Sequence, residues 1–261
     1  MIRPRLLRLV MLVPLVAAGL YLVTGTSTAR GAEHGDTGRG RELYLTGCSS
    51  CHGIHGKGVE ANGEQRGPSL EHAGPAITNY MLTTGRMPLA NSEDRPVRKD
   101  PAYDTEQIRD LIAYVSTLGE GPAIPDVDIT TGDLAAGGEL YRANCQPCHS
   151  ASGAGGALSY GRAAPQLSKA TPTQIGSAIR TGPGQMPVFG PDTLSSHEVD
   201  SIARYVKYLE HPDDRGGVSL GRLGPIPEGF LIWVLGVGLL IVICTWIGGR
   251  TRNRREVEPQ P

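Results

Sequence analysis

Cys48-Ser-Ser-Cys51-His52 and Cys145-Gln-Pro-Cys148-His149 are the two stretches on which the reading of this 261-residue chain turns. Each places two thiols three positions apart and an imidazole directly after them. On a helical turn, thiols at this spacing share a face, so both can add across the vinyl groups of one porphyrin. The histidine then lies under the iron. Cys-x-x-Cys-His is the attachment signature of c-type haem. One Cys-x-x-Cys alone is ambiguous, whereas two copies that each carry the histidine are specific. A structural disulfide or a redox dithiol leaves the repeated histidine unexplained, and no βαβ pattern surrounds either motif. A zinc site needs four nitrogen or sulfur ligands close together, yet a linker separates Cys51 from Cys145. The expectation is two covalently bound haem c groups, held by Cys48 and Cys51 and by Cys145 and Cys148. His52 and His149 are the expected iron ligands.

The motifs belong to an internal repeat. Gly40-Arg-Glu-Leu-Tyr44 is answered by Gly137-Gly-Glu-Leu-Tyr141, Pro68-Ser-Leu70 by Pro165-Gln-Leu167, and Thr84-Gly85 by Thr181-Gly182, each at an offset of 97 residues. Arg86-Met87-Pro88 then matches Gln185-Met186-Pro187 at an offset of 99. Met186 is the one methionine of the second copy, and of Met81 and Met87 in the first only Met87 aligns with it. A methionine in a Gly-rich loop, well past the histidine, suits the opposite face of the ring. Met87 and Met186 are therefore the expected sixth ligands, and His/Met ligation raises the reduction potential. His55, His72, His197 and His211 do not repeat. The carbonyls of Pro68 and Pro165 are candidate acceptors for the second ring nitrogen of His52 and His149. Tyr44 and Tyr141 are expected to pack near Tyr114 and Tyr205.

Each copy closes in an amphipathic pattern, Ile108, Leu111, Ile112, Val115 and Val199, Ile202, Val206, Leu209, with helical spacing. The middle of each copy does not alternate as strands do. The architecture expected is mostly α: a domain over 36–118, a Gly/Pro-rich linker over 119–132, a second domain over 133–211 and a further linker over 212–229.

The net charge of −1 conceals an asymmetry. Residues 1–30 carry four arginines and no acid, residues 31–228 carry 17 basic and 24 acidic residues, and residues 229–261 carry four arginines and two glutamates. A net-acidic middle argues against nucleic-acid binding. Phe230 to Gly249 holds 20 residues without a charge, enough for a transmembrane helix at 230–249. Trp233 and Trp246 lie near its ends, as interfacial aromatics do. Arg250, Arg252, Arg254 and Arg255 make the tail 250–261 basic and place it in the cytoplasm. Residues 1–30, with Arg3, Arg5 and Arg8 before an apolar run from Leu9 to Val23, read as a signal peptide or an N-terminal membrane anchor. Both clusters put residues 31–228 on the extracytoplasmic side of the cell membrane. Cys244 falls inside the C-terminal apolar run. Between Gly31 and Glu228 there is no Trp and one Phe, Phe189. A folded region so poor in large apolar side chains needs another source of core.

These residues resemble the dihaem cytochrome c subunit of the actinobacterial cytochrome bcc complex, a menaquinol–cytochrome c reductase. The resemblance runs through Cys48 to Gly53, Gly67-Pro-Ser-Leu70, Thr84-Gly-Arg-Met-Pro88, Arg98-Lys-Asp-Pro101, Gly155-Gly-Ala-Leu158, Gly182 to Pro187 and Gly224-Pro-Ile-Pro-Glu-Gly229. It implies two tandem class I cytochrome c domains followed by a C-terminal transmembrane helix. It further implies partners: a cytochrome b subunit and a Rieske iron–sulfur subunit of the same complex, and a terminal aa3-type oxidase in a supercomplex. The chain would then be the electron-transfer subunit of a quinol–cytochrome c reductase, without a substrate-binding catalytic site of its own. Two other readings stay open on the motifs alone: the dihaem subunit of a cbb3-type oxidase, and a dihaem peroxidase. The first predicts no late helix, and the second needs a haem with a replaceable ligand.

Overall fold

The computed structural model describes residues 35–61, 63–213 and 225–257. The expected signal or anchor at 1–30 lies outside the described residues, as do 214–224 of the second linker and 258–261 of the tail. The chain divides into two compact units, Met1–Ala123 and Ile124–Pro261, with the border inside the 119–132 linker.

The first unit runs α1 (Thr37–Gly47), α2 (Ser49–His52), β1 (Val59–Ala61), β2 (Glu64–Gly67), α3 (Gly74–Thr83) and α4 (Thr105–Val115). The second repeats this order: α5 (Leu134–Asn144), α6 (Gln146–His149), β3 (Gly156–Ala157), β4 (Ala163–Ala164), α7 (Pro172–Thr181) and α8 (Ser196–Tyr208). The fold is mostly α, as read from the sequence. The two antiparallel hairpins, β1 with β2 and β3 with β4, are additions. Strands of two to four residues are too short to show an alternation.

Helix starts follow from side-chain caps. Asp36 accepts from the backbone of Gly38 and Arg39 at the head of α1, and Asp133 from Ala136 at the head of α5. Capping boxes open α4 (Asp104/Gln107), α7 (Thr171/Gln174) and α8 (Ser195/Glu198), satisfying donors that the first helical turn leaves free.

In each unit the opening helix crosses the closing one at a glycine. A Cβ on Gly40 would overlap the Asp110 carbonyl, and one on Gly137 the Ser201 carbonyl. Around the crossing, with residues of α3, the core of the first unit buries Tyr44, Leu82, Ile108, Leu111 and Val115. In the second, with α7 and Leu194 added, it buries Tyr141, Ile175, Ile179, Leu194, Val199, Ile202, Ala203 and Val206.

The last helix, α9 (Pro225–Val257), has 33 residues and is about 50 Å long at 1.5 Å per residue. Its stretch Gly229–Gly249 has a mean hydropathy of 2.7 and none of it is buried in the fold. It is long and apolar enough to cross a membrane. The helix continues through Arg250 to Val257, where the sequence had suggested only a tail. Arginine and glutamate are good helix formers, so the backbone stays helical past the apolar stretch.

Gly137→Ala should force α5 and α8 apart. Overpacking of this kind costs about 1–3 kcal/mol, and about 1 kcal/mol shifts Tm by about 4–8 °C in a domain of this size. Thermal unfolding followed by circular dichroism is the check, and an unchanged Tm would show that the helices separate freely.

Candidate haem sites

The Cys-x-x-Cys-His stretches sit where the opening helix breaks. Cys48 ends α1 and starts α2, and Cys145 does the same between α5 and α6. The motif stays a helical turn across the break: His52 N donates to the Cys48 carbonyl at 2.9 Å, and His149 N to the Cys145 carbonyl at 2.9 Å. The two thiols of each motif therefore remain one turn apart on the same side.

The histidines are held by backbone. His52 Nδ1 lies 2.8 Å from the Pro68 carbonyl, and His149 Nδ1 lies 2.9 Å from the Pro165 carbonyl. A carbonyl only accepts, so Nδ1 carries a hydrogen in both rings and Nε2 faces away from that bond. Burial lowers the pKa of His149, partly offset by the Pro165 carbonyl. Neutral imidazole with Nε2 free is the form a metal ligand requires.

The same scaffold recurs around each ring. Gly58 N donates to the His52 carbonyl at 2.8 Å and Leu70 N to Gly56 at 2.7 Å. Gly155 N donates to the His149 carbonyl at 3.0 Å and Leu167 N to Gly153 at 2.9 Å. Tyr44 Oη donates to the Gly53 carbonyl and Tyr141 Oη to the Ser150 carbonyl, both at 2.7 Å. Their rings stack obliquely on Tyr114 and Tyr205, with centroids 5.2 and 5.3 Å apart. Burial pushes the Tyr44 phenol up to about 12 and raises Tyr141 as well, so both remain neutral donors.

The methionines arrive at the same cores. Met87 borders the first cluster together with Cys48 and Leu70, and Met186 borders the second together with Cys145 and Leu167. The loops that carry them leave α3 and α7 at Gly85 and Gly182, with φ of 64° and 57°, a left-handed turn that glycine adopts without strain. In the second unit Arg180 Nη1 holds the loop by donating to the carbonyls of Phe189 at 3.0 Å and Leu194 at 2.6 Å. In the first, Lys99 Nζ donates to the Pro88 carbonyl at 2.9 Å. His55, His72, His197 and His211 are all exposed.

The donor set fits covalent haem. The four motif thiols are free, and burial pushes those of Cys48 and Cys145 up to about 11. A reactive or zinc-bound cysteine needs a depressed pKa, so these are poor redox dithiols. Among the described residues no three His, Cys, Asp or Glu side chains gather to hold a metal ion.

The family model for Cytochrome c matches residues 38–119. The model for Cytochrome C oxidase, cbb3-type, subunit III matches residues 132–206. The cytochrome bc1 complex cytochrome c subunit of Mycobacterium tuberculosis (strain ATCC 25618 / H37Rv) is 41% identical over 220 residues, which is 81% of this chain and 77% of that protein. The subunit of the same name from Mycobacterium leprae (strain TN) is 40% identical over 219 residues, 81% of this chain and 74% of that one. That of Corynebacterium diphtheriae (strain ATCC 700971 / NCTC 13129 / Biotype gravis) is 36% identical over 242 residues, 86% and 85%. This chain belongs to the family of cytochrome bc1 complex cytochrome c subunits. It is thus an electron-transferring cytochrome c of a bc1 complex, and its two cytochrome c domains imply haem c binding. The cbb3 likeness concerns the second domain, while relatives matched over most of the chain are bc1 subunits.

Sequence reasoning passed over Arg86 and Arg180. The first is buried and the second spans its loop, yet neither repeats: Gln185 stands opposite Arg86, and Thr83 opposite Arg180. The mismatch itself was the available signal.

Tyr141→Phe should keep the ring pair with Tyr205 but remove the donor to Ser150. A loss of about 1 kcal/mol is expected, read as a lower unfolding midpoint in denaturant with an unchanged slope. A midpoint equal to that of the parent would mean that the hydrogen bond contributes nothing net.

Proposed function

We propose that this subunit is the membrane-anchored dihaem carrier that takes electrons from a Rieske iron–sulfur protein and delivers them to an aa3-type terminal oxidase. The observation that carries the reading is the duplication of one complete site: motif, carbonyl-bound histidine and core-facing methionine, twice in one chain. Cys48 and Cys51 would bind the first haem c covalently, with His52 Nε2 and Met87 as its iron ligands. Cys145 and Cys148 would bind the second, with His149 Nε2 and Met186. Bound haem c supplies a one-electron ferric/ferrous couple.

The chain's own groups tune that couple. The Nδ1 hydrogen bond fixes the imidazole tautomer and raises the basicity of Nε2. The methionine thioether favours a high potential. With His and Met both bound to it, each iron would have no open position for a substrate or peroxide, which speaks against a peroxidase. The exposed apolar stretch of α9 supports a bilayer anchor, and the arginines at 250–255 support a cytoplasmic C-terminus with both haem domains outside. A cytochrome b subunit, the Rieske protein and the oxidase are the proposed partners.

Pull-down of the tagged, full-length protein from mild-detergent membranes tests the partners. Cytochrome b, the Rieske protein and oxidase subunits should co-purify, whereas oxidase subunits without a cytochrome b would favour the cbb3-type reading. Met186→Leu should leave a covalently attached haem with a lowered potential in redox titration. An unchanged potential would show that Met186 is not a ligand.

A further inference from the structure

Arg86 is 7% exposed, and its Nη1 is buried without a hydrogen-bond partner among the described residues. Its guanidinium carbon stands 4.9 Å from the centroid of the Tyr80 ring. That contact offsets part of the desolvation but gives Nη1 no acceptor, and a buried donor left unmade is costly. Arg98 lies near enough that burial and the Arg86 charge both lower its pKa. Two guanidiniums thus gather beside one tyrosine, a place suited to an anion.

The place adjoins the candidate haem site in sequence. Arg86 directly precedes Met87, whose side chain shares the first core cluster with Cys48. Haem c carries two propionate carboxylates, which a guanidinium fork binds well. The second unit is built differently. Ser177 occupies the repeat position of Tyr80, and Gln185, at the position of Arg86, is exposed. The segment after the methionine is also shorter there: the cap Asp104 comes 17 residues after Met87, but Ser195 only nine after Met186. Arg98 lies in that extra length.

We infer that Arg86, seated on Tyr80, binds a propionate of the first haem and raises that haem's potential, a device the second unit lacks. The inference rests on the haem assignment proposed above. The direction follows from Coulomb's law. Reduction removes one positive charge from the iron, so a cation that neutralises the adjacent carboxylate favours the reduced state.

Redox titration of the full-length, haem-loaded protein in detergent is the test. Arg86→Gln should retain two covalent haems and lower one midpoint by about a tenfold change in its reduction equilibrium, about 59 mV for a one-electron couple. The affected haem should be the one that Met186→Leu leaves unmoved. Arg86→Lys keeps the charge without the fork and should fall less. Both midpoints unmoved would overturn the inference, as would equal falls at both haems or equal falls for the Gln and Lys variants. If Arg86→Gln fails to load its first haem, resonance Raman spectroscopy of Arg86→Lys decides. The propionate bending band of one haem should shift, and an unmoved band refutes propionate binding. A wild-type protein without covalent haem would instead refute the proposed function, a failure visible before any variant is made.

Discussion

The hydrogen bond from each motif histidine to a proline carbonyl 16 residues further on organises everything between them. It fixes the ring, and with it the direction of Nε2. It also closes a loop whose other ties, from Gly58 and Gly155 to the histidine carbonyls, pull the short hairpin against the motif. Proline suits the acceptor position because it has no N–H of its own to satisfy. The tyrosine one turn before the first cysteine adds the third tie, to the residue after the histidine. Imidazole, hairpin and opening helix are thereby tied together, and the methionine of the later loop borders the same core.

Much of this was legible in the sequence, for identifiable reasons. The motif spacing follows from covalent chemistry, and the repeat exposed the proline and tyrosine partners at an offset of 97 residues and the methionines at 99. The closing helices were legible because their apolar residues recur at three and four. Some features were hidden. The hairpins are too short to carry a pattern. The burial of Arg86 depends on where the post-methionine loop folds, which no local periodicity encodes. The extension of α9 past Gly249 depends on helix propensity beyond the apolar signal that marks its core.

The copies also differ at the helix crossing, and the difference has an electrostatic consequence. In the first unit the backbone N–H of Asp36 donates to Asp110 Oδ1 at 2.6 Å. In the second, that of Asp133 donates to Ser201 Oγ at 2.9 Å. A hydroxyl needs no counter-charge, and Ser201 Oγ donates its own hydrogen bond to the His197 carbonyl. The Asp110 side chain is 3% exposed, and a carboxylate so placed requires a partner. Arg39 supplies it, with Nε 3.0 Å from Oδ2, and reaches Glu106 at 2.7 Å from Nη1. The ion-pair group of the first unit therefore follows from one residue choice at the crossing.

The scarcity of large apolar side chains between Gly31 and Glu228 takes on a physical meaning in this architecture. The buried cluster of the first unit consists of Tyr44, Leu82, Ile108, Leu111 and Val115, a small core for a domain of this length. Tyr44 and Tyr141 are fully buried, but each is committed to a carbonyl and a neighbouring ring. The cytochrome c domains imply haem c, and a porphyrin bound as proposed would provide the flat apolar body that the sequence omits. Covalent attachment would make that body part of the chain and cross-link the motif as a staple does. The cofactor would then complete the core, and loading and stability would become one property. That coupling would account for why Trp233 and Trp246, the chain's two tryptophans, are found only in α9, the exposed apolar helix, where no cofactor would stand in for a side chain.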